Sequence, residues 1–324
     1  MSELVAIILA AGKGTRMKSK LPKVLHKVGG QPMVAHVLTA AQEAGAEQKV
    51  VVVGFGAEKV EEFIADKAKI VVQKEQLGTG HAVLQTKAVL GSTQGTALIL
   101  CGDTPLLDGG ELKKFYEAHV KAGAAVSVLT AETANPFGYG RILRDANGQV
   151  TGIVEEKDAT PEQKQIHEIN TGIYCAQLPL MFELLATLSN NNAQGEYYLT
   201  DILTKGKEQN KLICGIKTQD FDMVMGINSR KQMSVAEGIM RQRVLDKLMD
   251  SGVTIMDPAS TFIEKTVQIG ADTIIYPYTW LEGETKIGED CKIGPSTRLT
   301  NVKVGNNVTM QFTYGHECKV ENNV

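Results

Sequence analysis

Between Leu9 and Lys23 the chain reads LAAGKGTRMKSKLPK, with Gly12 and Gly14 on either side of Lys13, and Arg16 and Lys23 soon after. Glycines let backbone N–H groups approach phosphate oxygens, and the cations offset phosphate charge. These residue types therefore describe a polyphosphate loop. It is not a Walker A loop, which needs Gly-Lys-Ser/Thr after four spacers, and it lacks the third glycine of a dinucleotide GxGxxG. A strand-to-helix turn with incidental lysines is the competing reading. Asp103 is the second candidate. It ends an apolar strand beside Gly102 and precedes Thr104-Pro105. Mg²⁺ is hard and keeps several waters, so one or two protein oxygens suffice where phosphates supply others. A turn-forming Asp before proline is the alternative, and the position at a strand end favours the metal.

These residues need a scaffold, and the apolar runs supply one. Runs at 5–9, 50–53, 70–72 and 97–101 alternate with helical patterns, one of which starts at Pro32 and stops at Gly45. Alternating strand and helix predicts βαβ units and a mostly parallel, Rossmann-like sheet, whose ligands sit at the carboxyl ends of strands. The loop after Leu9, Gln73 after Val72, and Gly102-Asp103 after Cys101 all fall there. The middle, about 124–226, is mixed, with strand-like runs at 124–130, 150–154, 171–175 and 212–216 and helices near 179–188 and 196–208. It reads as an insertion completing the site over the sheet.

A long helix is predicted from 228 to 251, striped by Met233, Ile239, Met240, Val244, Leu245 and Leu248 and stopped by Gly252. Beyond it Ile269, Ile275, Leu281, Ile287, Ile293 and Leu299 recur every sixth residue. Val267, Thr273, Thr279, Thr285, Cys291 and Thr297 lie two before each. That is a hexapeptide repeat, the signature of a triangular parallel β-coil with the aliphatic residue inward. The spacing slips by one at Val304 and resumes at Met310. The expected domains are 1–227, a linker helix 228–251 and a partial β-helix 252–324. Solenoids need a polar cap, none is evident before Val324, and the expectation is a fragment of a longer protein.

The 324 residues carry a net charge of -3, with 43% hydrophobic and 22% charged positions. There is no basic excess for nucleic acid and no apolar stretch long enough for a membrane span or signal peptide. The five cysteines are scattered without a CxxC pair. They read as mostly buried thiols in a reducing, cytoplasmic setting.

The opening loop, Gln73-Lys-Glu-Gln-Leu-Gly-Thr-Gly-His-Ala82, Gly102-Asp103, Gly138-Tyr-Gly-Arg141, Glu168-Ile-Asn-Thr-Gly172 and Asn190–Asp201, followed by the long helix and hexapeptides, together resemble one family. It is the bacterial bifunctional UDP-N-acetylglucosamine pyrophosphorylase / glucosamine-1-phosphate N-acetyltransferase. The resemblance covers the whole chain in order. It implies Mg²⁺-dependent transfer of UMP from UTP to N-acetylglucosamine-1-phosphate, giving UDP-N-acetylglucosamine and pyrophosphate for cell-wall precursors. It implies a left-handed β-helix and a homotrimer through it. Acetyl transfer is not expected here, because further coils would carry that chemistry, and His316 is given no such role.

Residue by residue, the resemblance implies that Asp103 and Asn228 hold the metal. By residue type alone, Asn228 fits a helix N-cap equally well. Arg16 and Lys23 would offset transition-state charge, Arg by forking across oxygens and Lys as a point charge. Leu9, Ala10, Gly12, Lys13 and Gly102 would complete the nucleotide site. Gln73, with a donor and an acceptor, would read uracil together with Ala11, Gly78 and Thr79. Gly140, Glu155 and Asn170 would take the sugar. His81 reads as structural, because a phosphate nucleophile needs no base. Tyr139, Tyr197 and Tyr198 read as packing, and Lys18, Lys20, Glu156 and Lys157 as surface charges. A nucleotidyltransferase of other specificity, or a non-catalytic subunit of the same fold, remain as alternatives.

Overall fold

The computed structural model describes residues 3–324. By internal contacts the chain forms two compact units. The first comprises the described residues up to His26 together with Met33–Ser229, and the second comprises Lys27–Pro32 with Arg230–Val324.

The first unit is built on one twisted sheet. Its strands are β1 (Leu4–Ala10), β4 (Gln48–Val53), β5 (Lys69–Val72), β6 (Gly95–Cys101), β7 (Val126–Glu132), β8 (Arg141–Arg144), β9 (Val150–Val154), β10 (Glu168–Leu178) and β11 (Ile213–Lys217). The intervening hairpin β2 (Lys27–Val28) and β3 (Gln31–Pro32) belongs to the second unit. Sheet order is β11-β7-β10-β6-β1-β4-β5, with β8 joined to β9 and β10. β6, β1, β4 and β5 run parallel, while β10 runs antiparallel between β6 and β7. The middle of the chain thus extends the sheet instead of lying over it, which corrects the sequence expectation.

Both faces of the sheet are buried, as parallel strands require. Alternate residues of β1 go to opposite cores: Leu4, Ala6 and Ile8 to one, Val5 and Ile7 to the other. The first core is covered by α1 (Met33–Glu43), α2 (Ala57–Ile64) and α5 (Gly109–Ala122). The second is covered by α3 (Thr79–Gln85), α4 (Lys87–Leu90), α6 (Leu180–Leu185) and α7 (Asp201–Glu208). The helix predicted over 196–208 starts only at Asp201. Tyr197 and Leu199, just before it, have their backbone groups bonded to another segment, described below.

In the second unit α8 (Arg230–Asp250) buries Ala236, Met240 and Leu245. The hairpin docks beside it: Gly29 N donates to Glu237 Oε2 at 2.8 Å. Three parallel ladders of short strands follow, one for each side of a β-helix. Ile275 pairs with Ile293, Leu281 with Leu299 and Ile287 with Val304. Where the residue two before the aliphatic is threonine, its buried hydroxyl donates to a nearby carbonyl. Thr279 Oγ1 donates to Tyr276 O at 2.7 Å, and Thr285 Oγ1 to Glu282 O at 2.7 Å. Corners are turned by left-handed residues, among them Asp272, Tyr278, Asp290, Asn301 and Asn307. The slip at Val304 falls at such a corner, between buried Leu299 and Val302. The same shortening recurs later, where Gly315 pairs with Leu299 and Val320 with Val304.

Candidate active site

β1 and β6 are parallel neighbours with Leu9 opposite Cys101, so the segments following them leave the sheet at one edge. β5 reaches the same edge through β4, and Gln73 N caps it by donating to Val53 O at 2.8 Å. A cavity of about 490 Å³ opens there. Leu9, Ala10, Ala11, Gly12, Lys13, Lys23, Gln73, Gly78, Thr79 and Asp103 line it, joined by Cys101, Gln76 and Glu196, which no motif marks as site residues. Arg16 sits exposed on the same loop, outside this lining.

At the cavity's centre, Lys23 Nζ donates to the Asp103 carboxylate and, at 2.8 Å, to Asn228 Oδ1. Gly14 makes room for the lysine stem. Its φ is +59°, and a Cβ there would lie 2.6 Å from Lys23 Cβ. Asn228 is brought in from the far end of the unit, where Ile227 N donates to Asp103 O at 2.9 Å. Two hard oxygens thus already converge on one positive charge, a donor set that suits Mg²⁺. No three His, Cys, Asp or Glu residues cluster as a metal site among the described residues, so a cation here would take most of its ligands from elsewhere.

One end of the site is made by two segments bonded to each other. Tyr197 N donates to Leu77 O and Gly80 N to Tyr197 O, each at 2.8 Å. Leu199 N donates to Thr79 Oγ1 at 3.1 Å. Gly78 lies so close that a Cβ would stand 2.6 Å from Tyr197 O. The Gln-Leu-Gly-Thr-Gly-His-Ala and Asn190–Asp201 motifs are therefore two halves of one wall. Gln73 is 3% exposed, and its Nε2 donates to Gly78 O at 3.1 Å.

At the other end a bulge in β10, between Asn170 and Tyr174, breaks its pairing with β7. Bulges of this kind re-aim a side chain. Asn170 Oδ1 accepts from Gly172 N and Tyr174 Oη, each at 2.9 Å. Gly140 lies against both expected sugar contacts, since its Cβ would meet Asn170 Cβ at 3.3 Å and Glu155 Oε1 at 3.5 Å. Burial pushes the Glu155 carboxyl above its ordinary 4.5; nearby Asp201, Asp158 and Glu196 add to this, against the Thr200 hydroxyl. Cys101 links this end to Asp103: its Sγ faces Gly172 O at 3.7 Å. Burial first, then Asp103, pushes its thiol up to about 12, opposed by Lys23.

Glu156 is not the surface charge that the sequence suggested. It pairs at 2.8 Å with Arg141, which is 2% exposed, and accepts from Gly138 N at 3.2 Å. Arg141 also donates to Tyr139 O. Burial pushes Glu156 up, but Arg141 and the Gly138 N–H outweigh it and hold the carboxyl below its usual value. The pair pins the Gly138–Gly140 turn. An arginine heading a short strand, directly before the apolar pair Ile142-Leu143, was the signal that could have found it. Tyr139 packs as expected, edge-on to Phe221 at 6.1 Å.

Residues 5–223 match the family described as nucleotidyl transferase. The bifunctional protein GlmU of Heliobacterium modesticaldum is 50% identical over 326 aligned positions, covering 99% of this chain and 71% of that protein. That of Pelotomaculum thermopropionicum is 52% identical, covering 98% of this chain and 70% of that protein. The chain belongs to the GlmU family. The nucleotidyl transferase match ends before α8, whereas the GlmU matches run on through the coils. The fold also resembles a UDP-glucose pyrophosphorylase solved with UDP-glucose, at a TM-score of 0.60 and 20% identity, over 75% of this chain and all of that one. No helix among the described residues is long and apolar enough to cross a membrane.

Proposed function

We propose that this GlmU-family nucleotidyltransferase moves UMP from UTP to N-acetylglucosamine-1-phosphate in the cytoplasm, releasing pyrophosphate and forming UDP-N-acetylglucosamine. The observation that carries this reading is the convergence of Lys23, Asp103 and Asn228 between a base end and a sugar end. Gln73, Gly78, Thr79 and Ala11 hold the uracil. Lys13 and the backbone of Ala10–Gly12 take the triphosphate, with Leu9 and Gly102 as walls. Gly140, Glu155 and Asn170 hold the sugar, the Asn170 amide N–H groups facing the N-acetyl group.

The sugar phosphate is already an anion, so no general base is needed for in-line attack on the α-phosphorus. Positioning and charge neutralisation do the work. Asp103 and Asn228 would hold Mg²⁺, which when bound supplies charge neutralisation at the phosphates. Lys23, which bonds both of these oxygens, would meet the phosphate charge, and Arg16 would reach the phosphates from the exposed loop. The β-helix carries a homotrimer, which light scattering would show. Pyrophosphate release from UTP, Mg²⁺ and N-acetylglucosamine-1-phosphate tests the activity. Equal turnover with glucose-1-phosphate would sink the sugar assignment, and no release would sink the whole reading.

A further inference from the structure

His81 has no task in the chemistry above, yet it is wedged between two amides. Its Nδ1 lies 3.0 Å from Gln73 Nε2, and its Nε2 lies 3.0 Å from Gln85 Nε2. Gln73 Nε2 also donates to Gly78 O at 3.1 Å. A carbonyl only accepts, so this bond fixes which end of the Gln73 amide is nitrogen. Both amide hydrogens are then committed, one to Gly78 O and one to His81 Nδ1. In a neutral imidazole one nitrogen accepts and the other donates, so Nε2 carries the hydrogen. Gln85 Nε2 also donates to His81 O at 3.2 Å, but Gln85 is half-buried, so its amide can turn over to meet that N–H and leave its NH₂ to water. Gln73, 3% exposed, has no such freedom.

What Gln73 keeps for a ligand is therefore Oε1, an acceptor alone. An acceptor complements the N3–H of uracil and opposes the N3 lone pair of cytosine. We propose that His81 is a positioning residue for base selection: it locks the Gln73 amide so that a uridine nucleotide is preferred to a cytidine nucleotide. This rests on reading the cavity as a uridine nucleotide site. It goes beyond that reading by making the choice of base depend on a residue that need not touch the nucleotide.

The test is titration calorimetry of UTP and of CTP into the full chain, without sugar phosphate, for the wild type, His81→Asn and His81→Gln. Asn can place an oxygen where Nδ1 stands, while Gln places it where Nε2 stands. The expected result is a UTP-over-CTP ratio kept by His81→Asn and lowered about three- to tenfold by His81→Gln, the worth of one hydrogen bond. Three results would overturn the proposal: both variants at the wild-type ratio, both lowered alike, or a wild type with no preference. Transfer to N-acetylglucosamine-1-phosphate, assayed separately on the wild type, tells whether the wider reading falls with it.

Discussion

In the sheet unit, neighbours in space come from distant parts of the chain: β10 runs beside β6, and Asn228 bonds to Lys23. In the coil unit each strand lies over the strand one turn later, Trp280–Glu282 under Arg298–Thr300 under Tyr314–His316. The first arrangement gathers polar groups from many loops onto one edge, which is what a reaction needs. The second repeats one rule and gathers nothing, so its stability is close to a sum of neighbouring turns. Chemistry follows the irregular contacts and persistence follows the regular ones.

Substitutions can break this contrast. Asp103→Ala should lower transfer about 10²–10³-fold, the usual cost of losing one preorganised charge partner at a reacting phosphate; near-normal pyrophosphate release would refute the metal assignment. Leu281→Ala, at a fully buried coil position, should cost about 2–5 kcal/mol in denaturant unfolding. Transfer by the folded fraction should stay unchanged, and a parallel loss of kcat would mean that the units are not separable in this way. Gly78→Ala should cost about 1–3 kcal/mol and raise KM for UTP, because φ is +111° and Tyr197 O blocks a side chain. An unchanged KM would show that the wall between the two motifs does not shape the base end. Thr285→Val should cost about 1 kcal/mol, because Val302 N loses its Thr285 Oγ1 acceptor while Glu282 O keeps only Asn301 N, with Thr285→Ser nearer the wild type.

The smallest expected effect depends on pH. The Glu155 carboxyl is raised in the folded state, so the folded protein holds this proton more tightly than the unfolded chain. Stability is then lost as pH rises from about 4.5 through the raised value, and the penalty is constant above it. Glu155→Gln should therefore raise Tm at neutral pH and not below pH 4.5, while raising KM for the sugar phosphate. A Tm gain equal at both pH values would contradict the desolvation argument.

Much of this was legible because it is periodic or local. The apolar run Val5–Leu9, the glycines near Lys13 and the hexapeptides each write their geometry into adjacent residues. α5 is not evident from its apolar pattern, although Asp108 accepts from Glu111 N at 2.9 Å and Gly123 ends the helix. Two glycines after the cap masked a capping signal that was present. What stayed hidden was long-range: the Arg141–Glu156 pair, the bonding of residues 77–80 to 197–199, and the hairpin 27–32 that belongs with α8. No spacing rule predicts such pairings, because each is set by where the chain returns. α7 starts later than its sequence pattern predicts for this reason, since the Tyr197 backbone is already bonded elsewhere.

The short corner between Leu299 and Val302 has a consequence for how such a chain can vary. A residue deleted within a strand would turn every later side chain to the wrong face. Deleted at a left-handed corner, it leaves Ile287 over Val304 and Ile293 over Met310, aliphatic still above aliphatic. Corners thus act as expansion joints, where length can change over evolutionary time while the interior stays in phase.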